Sequence, residues 1–199
     1  GCGGAGGDAG SGAAPAAAGP MTFVVGKDTT SYFQPLLDRW NRAHPADQVQ
    51  MLELPEAADE QRAQMVANLQ AGSDRYDILA LDVIWTAEFA EAGWIVPLDR
   101  GMFPLEKFFP GVVDTAMYKG RLYAVPYSTN AGLLYYRKDL LDAAGLKPPK
   151  TWAELREQAR RLSREHGLGG YAGQFLPYEG LTVNFLEAVH SAGGELLNR

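Results

Sequence analysis

Between residues 22 and 93 the sequence alternates strand-like and helix-like segments three times, and this alternation constrains the fold more than any other feature. Thr22-Phe23-Val24-Val25 is a β-branched and aromatic run closed by Gly26, the pattern of a buried strand. Ser31 and Gln34 have capping-box spacing and predict a helix start. In that helix Tyr32, Leu36 and Trp40 recur every fourth residue until His44-Pro45. Residues 49–54 alternate as a second strand, and residues 58–71 place Met65, Val66 and Leu69 on one helical face before Gly72. Tyr76 to Leu81 reads as a third strand closing at Asp82, followed by a short helix over 84–92 that stops at Gly93. Such an order predicts an α/β fold around a mostly parallel sheet.

The rest of the chain is less regular. Pro104 and Pro110 break residues 102–119 into short helical pieces. Residues 122–127 and 133–136 read as two strands joined by Ser128-Thr129-Asn130-Ala131-Gly132. A short helix is predicted over 139–144. Thr151 and Glu154 cap a longer helix carrying Trp152, Leu155, Ala159 and Leu162. Residues 171–175 read as a strand and 181–192 as a last helix. No internal repeat is present.

The first 20 residues behave differently: 15 of them are Gly or Ala, one is charged (Asp8), and none is aromatic. A segment with so little to bury predicts a flexible tether. Gly1, Gly3 and Gly6 match the G-x-G-x-x-G spacing, but a dinucleotide site needs a strand before that turn and a helix after it. The chain's one cysteine, Cys2, sits at the start of the tether. A lone cysteine has no partner for a disulfide or a zinc site. A small residue, then Cys, then a Gly/Ser/Ala tether resembles the end of a bacterial lipoprotein signal. That resemblance implies lipidation of Cys2 and anchoring at a membrane surface.

Composition excludes several function classes. With 18 basic against 24 acidic side chains and a net charge of −6, the chain lacks the basic face that nucleic acid requires. No apolar run approaches the roughly 18 residues of a membrane-spanning helix. No H-E-x-x-H, G-x-S-x-G or P-loop motif is present. His44, His166 and His190 are far apart and flank helix ends. Nothing in the sequence asks for a cofactor or a metal.

An ordered set of short motifs is more specific. It comprises Tyr76-Asp77-Ile78, Glu91-Ala92-Gly93-Trp94, Gly120-Arg121-Leu122-Tyr123-Ala124-Val125-Pro126 and Leu134-Tyr135-Tyr136-Arg137-Lys138-Asp139-Leu140-Leu141. It continues with Pro148-Pro149-Lys150-Thr151-Trp152-Ala153-Glu154-Leu155, Tyr178-Glu179-Gly180 and Ala192-Gly193-Gly194. Over residues 21–199 these resemble, in order, the extracellular solute-binding proteins (family 1) of sugar ABC importers, and most of all the maltose/trehalose-type branch. The resemblance implies a two-lobed fold of the periplasmic-binding-protein type II kind. Residues 1–20 would be the signal remnant and tether, 21–130 lobe one, and 131–199 the beginning of lobe two. Family members are roughly twice as long, so the chain corresponds to an N-terminal half. The implied function is capture of a sugar, a di- or oligosaccharide, outside the cell and delivery to an ABC permease. The protein would be a lipid-anchored monomer on the outer face of the cytoplasmic membrane, and not an enzyme.

A sugar offers hydroxyls at its edge and an apolar C–H face, so its site needs donors and acceptors in the ring plane and an aromatic against the face. In open α/β sheets the ligand sits beyond the carboxyl ends of the strands. Asp28 follows the first strand there, and Asp82 follows the third with Trp85 just beyond. The resemblance implies a ligand contact at Asp82, an acidic or amide contact at the position of Asn130, and stacking and hydroxyl contacts from the loop holding Tyr178 and Glu179. Tyr127 and Gln174 are further candidates. Each has a plain structural alternative: helix capping for Asp28, Asp82 and Glu179, core packing for Trp85 and Tyr178, a turn for Asn130. Other readings are a receptor for a non-sugar solute or for ferric ion, the latter suggested by Tyr135-Tyr136, and a secreted glycoside-active enzyme with paired carboxylates. Adjacent tyrosines in a strand face opposite ways, and no spacing selects a carboxylate pair.

Overall fold

A computed structural model of the chain describes residues 19–197. Cys2 and the segment 1–18 lie outside the described residues. The chain divides into two compact units between Val96 and Pro97, so Asn130 falls within the second.

In the first unit β1 (Met21–Gly26) is the central strand. It pairs in parallel with β2 (Val49–Leu54) on one side and β3 (Ile78–Leu79) on the other. Val24 faces Leu52 in one ladder and Leu79 in the other, and Ala80 N donates to Val24 O at 2.8 Å to extend the second. Helices α1 (Phe33–Ala43) and α2 (Ala58–Gln70) connect these strands. The two crossovers, β1 to β2 and β2 back past β1 to β3, run in opposite directions across the sheet, and right-handed connections of that kind place the two helices on opposite faces. The side chains of β1 obey the period of two. Phe23 meets Phe33 of α1 edge to face at 5.2 Å. Val24 packs on the other face with Leu54, with Met65 of α2 and with Phe89 of α3 (Thr86–Glu91). Val24, Met65 and Phe89 are fully buried, each worth roughly 1.5–3 kcal/mol of hydrophobic stabilisation.

The second unit is built from α4 (Pro110–Thr115), the hairpin β4 (Met117–Tyr118) and β5 (Arg121–Leu122), α5 (Lys138–Ala143), α6 (Trp152–His166) and α7 (Glu179–Ser191). Leu122 is buried and bridges to Leu98, whose N–H donates to Leu122 O at 2.7 Å. Thr151 Oγ1 accepts from Glu154 N at 3.1 Å, the contact its spacing predicts. No helix among the described residues is long and apolar enough to cross a membrane.

Three expectations are corrected. The helix predicted from Ser31 starts instead at Phe33, without a side-chain cap from Tyr32. Ser31 has φ 55°, and Asp28 takes over its capping role by accepting from Phe33 N. Residues 123–127 and 133–136 are not strands, and the strand-like run at 121 ends at Leu122. Residues 171–175 likewise form no strand. These runs have strand composition, but a strand also needs a hydrogen-bonded neighbour, and the described residues provide none. Leu133 and Tyr135 stand 71% and 86% exposed.

Candidate functional site

The strand order β2-β1-β3 has its topological switch between β1 and β3, the place where an open α/β sheet offers a ligand crevice beyond its carboxyl ends. Asp28 leaves β1 and Asp82 leaves β3, so the fold brings these two predicted residues to that one edge. Asp28 is a fixed carboxylate. Its Oδ2 accepts from Phe33 N at 2.9 Å, and its Oδ1 from Thr30 N at 3.2 Å and Thr30 Oγ1 at 2.9 Å. The Phe33 N–H contributes most to holding its pKa below the ordinary 3.8, because hydrogen bonds to the charged form favour it. Three of the roughly four acceptor positions of the carboxylate are thereby used.

Asp82 Oδ1 accepts from Ile84 N at 3.3 Å and starts a 3₁₀ turn at Val83–Trp85. Its Oδ2 carries no hydrogen bond among the described residues. Val83 and Ile84, next to it, are 57% and 63% exposed. Trp85 is only 4% exposed and stacks on Phe89 at 6.3 Å. Its side chain therefore belongs to the core, and its contribution to this edge is its backbone N–H, which donates to Asp82 O at 3.0 Å. The sequence reading missed Glu53. Its carboxylate, near the end of β2, accepts from Asp28 N at 2.9 Å. Glu53 lies inside β2 rather than after it, so the strand-end rule that selects Asp28 and Asp82 passes over it.

In the second unit Tyr178 is the N-cap residue of α7 and Glu179 its first helical residue. The Tyr178 ring folds over Gly180, where an added Cβ would lie 2.5 Å from the phenol oxygen and 2.7 Å from Gln174 Oε1. The geometry thus places Gln174 beside Tyr178. Asn184, one helical turn further on, ties the two together: its Oδ1 accepts from Gln174 N and its Nδ2 donates to Gly180 O, both at 3.2 Å. Asn130 lies exposed in the irregular connection after β5. Two residues on, Gly132 lies against the carboxylate of Glu187 of α7; a Cβ there would be 2.2 Å from Oε1. Tyr127 lines a groove of about 210 Å³ with Phe108, Phe109 and Ser128. Among the described residues no three His, Cys, Asp or Glu side chains come close enough to hold a metal ion.

The first unit thus carries carboxylate acceptors at its strand ends; the second, taken by itself, carries an aromatic ring and amides at the start of α7.

Known proteins share the fold and the sequence. A probable ABC transporter-binding protein of Deinococcus radiodurans is 31% identical over 163 residues, covering 79% of this chain and 39% of that protein. The maltose-bound MalE3 of T. maritima superposes with a TM-score of 0.84 at 37% identity, over 92% of this chain and 47% of that one. UgpB of Mycobacterium tuberculosis in complex with glycerophosphocholine superposes with a TM-score of 0.68 at 28% identity, over 76% of this chain and 40% of that one. The chain thus spans less than half the length of these relatives. Residues 26–199 match the family model for the bacterial extracellular solute-binding proteins, and the chain belongs to that family.

Proposed function

We propose that the protein is the substrate receptor of a sugar ABC importer, capturing a carbohydrate outside the cell and presenting it to the permease. Binding, without chemistry on the sugar, is its whole task. The observation that carries this reading is the placement of Asp28 and Asp82 at the switch point of a sheet whose strand ends are lined with acceptors. The high similarity to a maltose-bound relative supports a carbohydrate. Asp28, Asp82, Asn130, Tyr178 and Glu179 are the proposed contacts. Lipidation at Cys2 is the proposed anchor, with the protein monomeric on the outer face of the membrane.

Calorimetric titration of the intact protein with maltose, trehalose and mannitol tests the reading. Micromolar or tighter binding of one of them, lost in Asp82→Ala and Asn130→Ala, is expected. Silence across the panel would move the ligand to another class of solute. Mass spectrometry of the mature N-terminus from cells tests the anchor separately.

A further inference from the structure

Helix α6 carries a row of arginines along one side. Trp152, Arg156, Arg160 and Arg164 follow one another at four-residue spacing, which aligns them on the helix surface over about 18 Å. All four are exposed. Further round the helix, Arg161 is paired with Glu165 at 2.8 Å. Among the described residues Arg156, Arg160 and Arg164 are in no ion pair. The helical period sets the carboxylates of α6, Glu154, Glu157 and Glu165, on the neighbouring side, where Glu154 accepts from Lys150 N at 2.7 Å. Like charges at i and i+4 oppose the helix that carries them. In a chain with a net charge of −6, the row is a local reversal of sign that an anionic partner would relieve.

Beside the row lies a groove of about 400 Å³, lined by Trp152, Leu155, Arg156, Ala159, Arg160 and Tyr171 with their neighbours. Its far wall stands close because Gly170 packs on α6, where an added Cβ would lie 2.9 Å from Ala159 O. Trp152 and Tyr171 are half exposed and meet edge to face at 6.4 Å. The indole is fixed by its Nε1–H, which donates to Ser191 Oγ at 2.7 Å.

We propose that this face of the second unit rests on the membrane surface, with Arg156, Arg160 and Arg164 on the phosphates of anionic lipids and Trp152 and Tyr171 at headgroup level. The guanidinium fork matches phosphate oxygens. Trp and Tyr, apolar with one polar tip, settle where hydrocarbon meets water. A straight row suits a plane of repeated anions, and the groove beside it offers an apolar recess to the part of a lipid below its headgroup. This contact rests on the proposed placement of the protein at a membrane and is independent of the solute it carries. An anchor at Cys2 would keep the face near lipid, so a weak contact suffices to orient the protein.

The test is co-sedimentation of the intact chain carrying Cys2→Ser, which takes no lipid, with two kinds of vesicle: phosphatidylglycerol mixed equally with phosphatidylcholine, and phosphatidylcholine alone. At low salt the bound fraction is expected to be about fivefold higher on the anionic vesicles and to fall steeply as salt rises. Tryptophan emission should shift to the blue on binding. Arg156→Gln, Arg160→Gln and Arg164→Gln together should bring binding down to the phosphatidylcholine level. Arg39→Gln, Arg42→Gln and Arg75→Gln, at exposed positions of the first unit, make the same change of charge and should leave most of the binding. Equal binding to the two kinds of vesicle, no binding to either, or equal losses in the two triple variants would overturn the proposal. So would capture by poly-glutamate with none by vesicles, which would make the partner an acidic polypeptide. The receptor reading and the lipid anchor stand apart from these outcomes, since sugar titration decides the one and the mass of the N-terminus the other.

Discussion

Glu53 Oε1 accepts the backbone N–H of Asp28 at 2.9 Å, so the carboxylate of one strand end fixes the backbone that presents the carboxylate of the next. Asp28 in turn orders the following loop through Thr30 and Phe33. The two residues form a relay from β2 through the β1 turn into α1, on rigid elements rather than on a mobile loop.

Removing the acceptor should therefore cost one hydrogen bond and loosen the turn that presents Asp28. Glu53→Ala is expected to lower stability by about 0.5–1.5 kcal/mol and to weaken ligand binding several-fold. Glu53→Gln keeps an oxygen that can accept from Asp28 N and should recover most of the stability. Urea midpoints of both variants, with titrations at one salt concentration, check this. Equal losses in the two would show that charge, not acceptor geometry, holds the turn.

Acid exposes the paired carboxylates. Arg137 donates to Asp139 through Nε at 2.8 Å and Nη2 at 2.5 Å, and this holds the Asp139 pKa down to about 2 from 3.8. Asp28 is also lowered, chiefly by Phe33 N. A carboxylate whose folded pKa is depressed contributes stability that is present above its unfolded pKa and is lost as pH falls through the folded one. The window here runs from about pH 4 down to about pH 2. Thermal midpoints across that range should fall, less steeply in Asp139→Asn and in Asp28→Asn than in the parent. Both groups are exposed, so the change in slope will be modest.

Core and site are separable by mutation. Phe89 is fully buried, stacks with Trp85 at 6.3 Å and meets Trp94 edge to face at 5.3 Å. Phe89→Ala should cost about 3–5 kcal/mol and shift the tryptophan fluorescence. Trp85→Ala should likewise act through stability, with ligand affinity falling only as folded protein is lost. Ile84→Ala, at a 63% exposed position, should stay within about 0.5 kcal/mol of the parent. Guanidinium unfolding followed by fluorescence distinguishes the three.

The first unit was legible because its signals are local and agree with one another. Val24, Met65 and Leu69 sit at strand and helix periods, and Gly72 and Gly93 stop helices just past their last turns. The position of Asp28 and Asp82 at the carboxyl edge was legible because it follows from their place after a strand, which needs only the strand to be right. Trp85 was harder, because a residue in the first turn after a strand can face the crevice or the core, and only the packed partner Phe89 decides. Leu133 to Tyr136 failed for a different reason. Its apolar aromatic run states a preference for extended backbone, while pairing depends on a neighbour distant in sequence. Glu187 was invisible as well, since nothing near α7 in sequence announces that its carboxylate meets Gly132.

That last contact yields the sharpest prediction for the second unit. Gly132 lies two residues from Asn130, and any side chain there would place its Cβ 2.2 Å from Glu187 Oε1 and 3.0 Å from Cδ. Gly132→Ala must displace either the Glu187 side chain or the connection that carries Asn130. If the connection moves, the ligand affinity falls with little change in stability; if only Glu187 moves, neither changes much. Glu187→Ala removes the obstructing carboxylate, so the double variant Gly132→Ala/Glu187→Ala should bind better than Gly132→Ala alone. A coupling of about 0.5–3 kcal/mol between the two sites is the scale expected for residues in contact. Additive losses in the cycle, measured by titration and urea unfolding on all four proteins, would show that the connection tolerates a methyl group there and that Glu187 does not hold it.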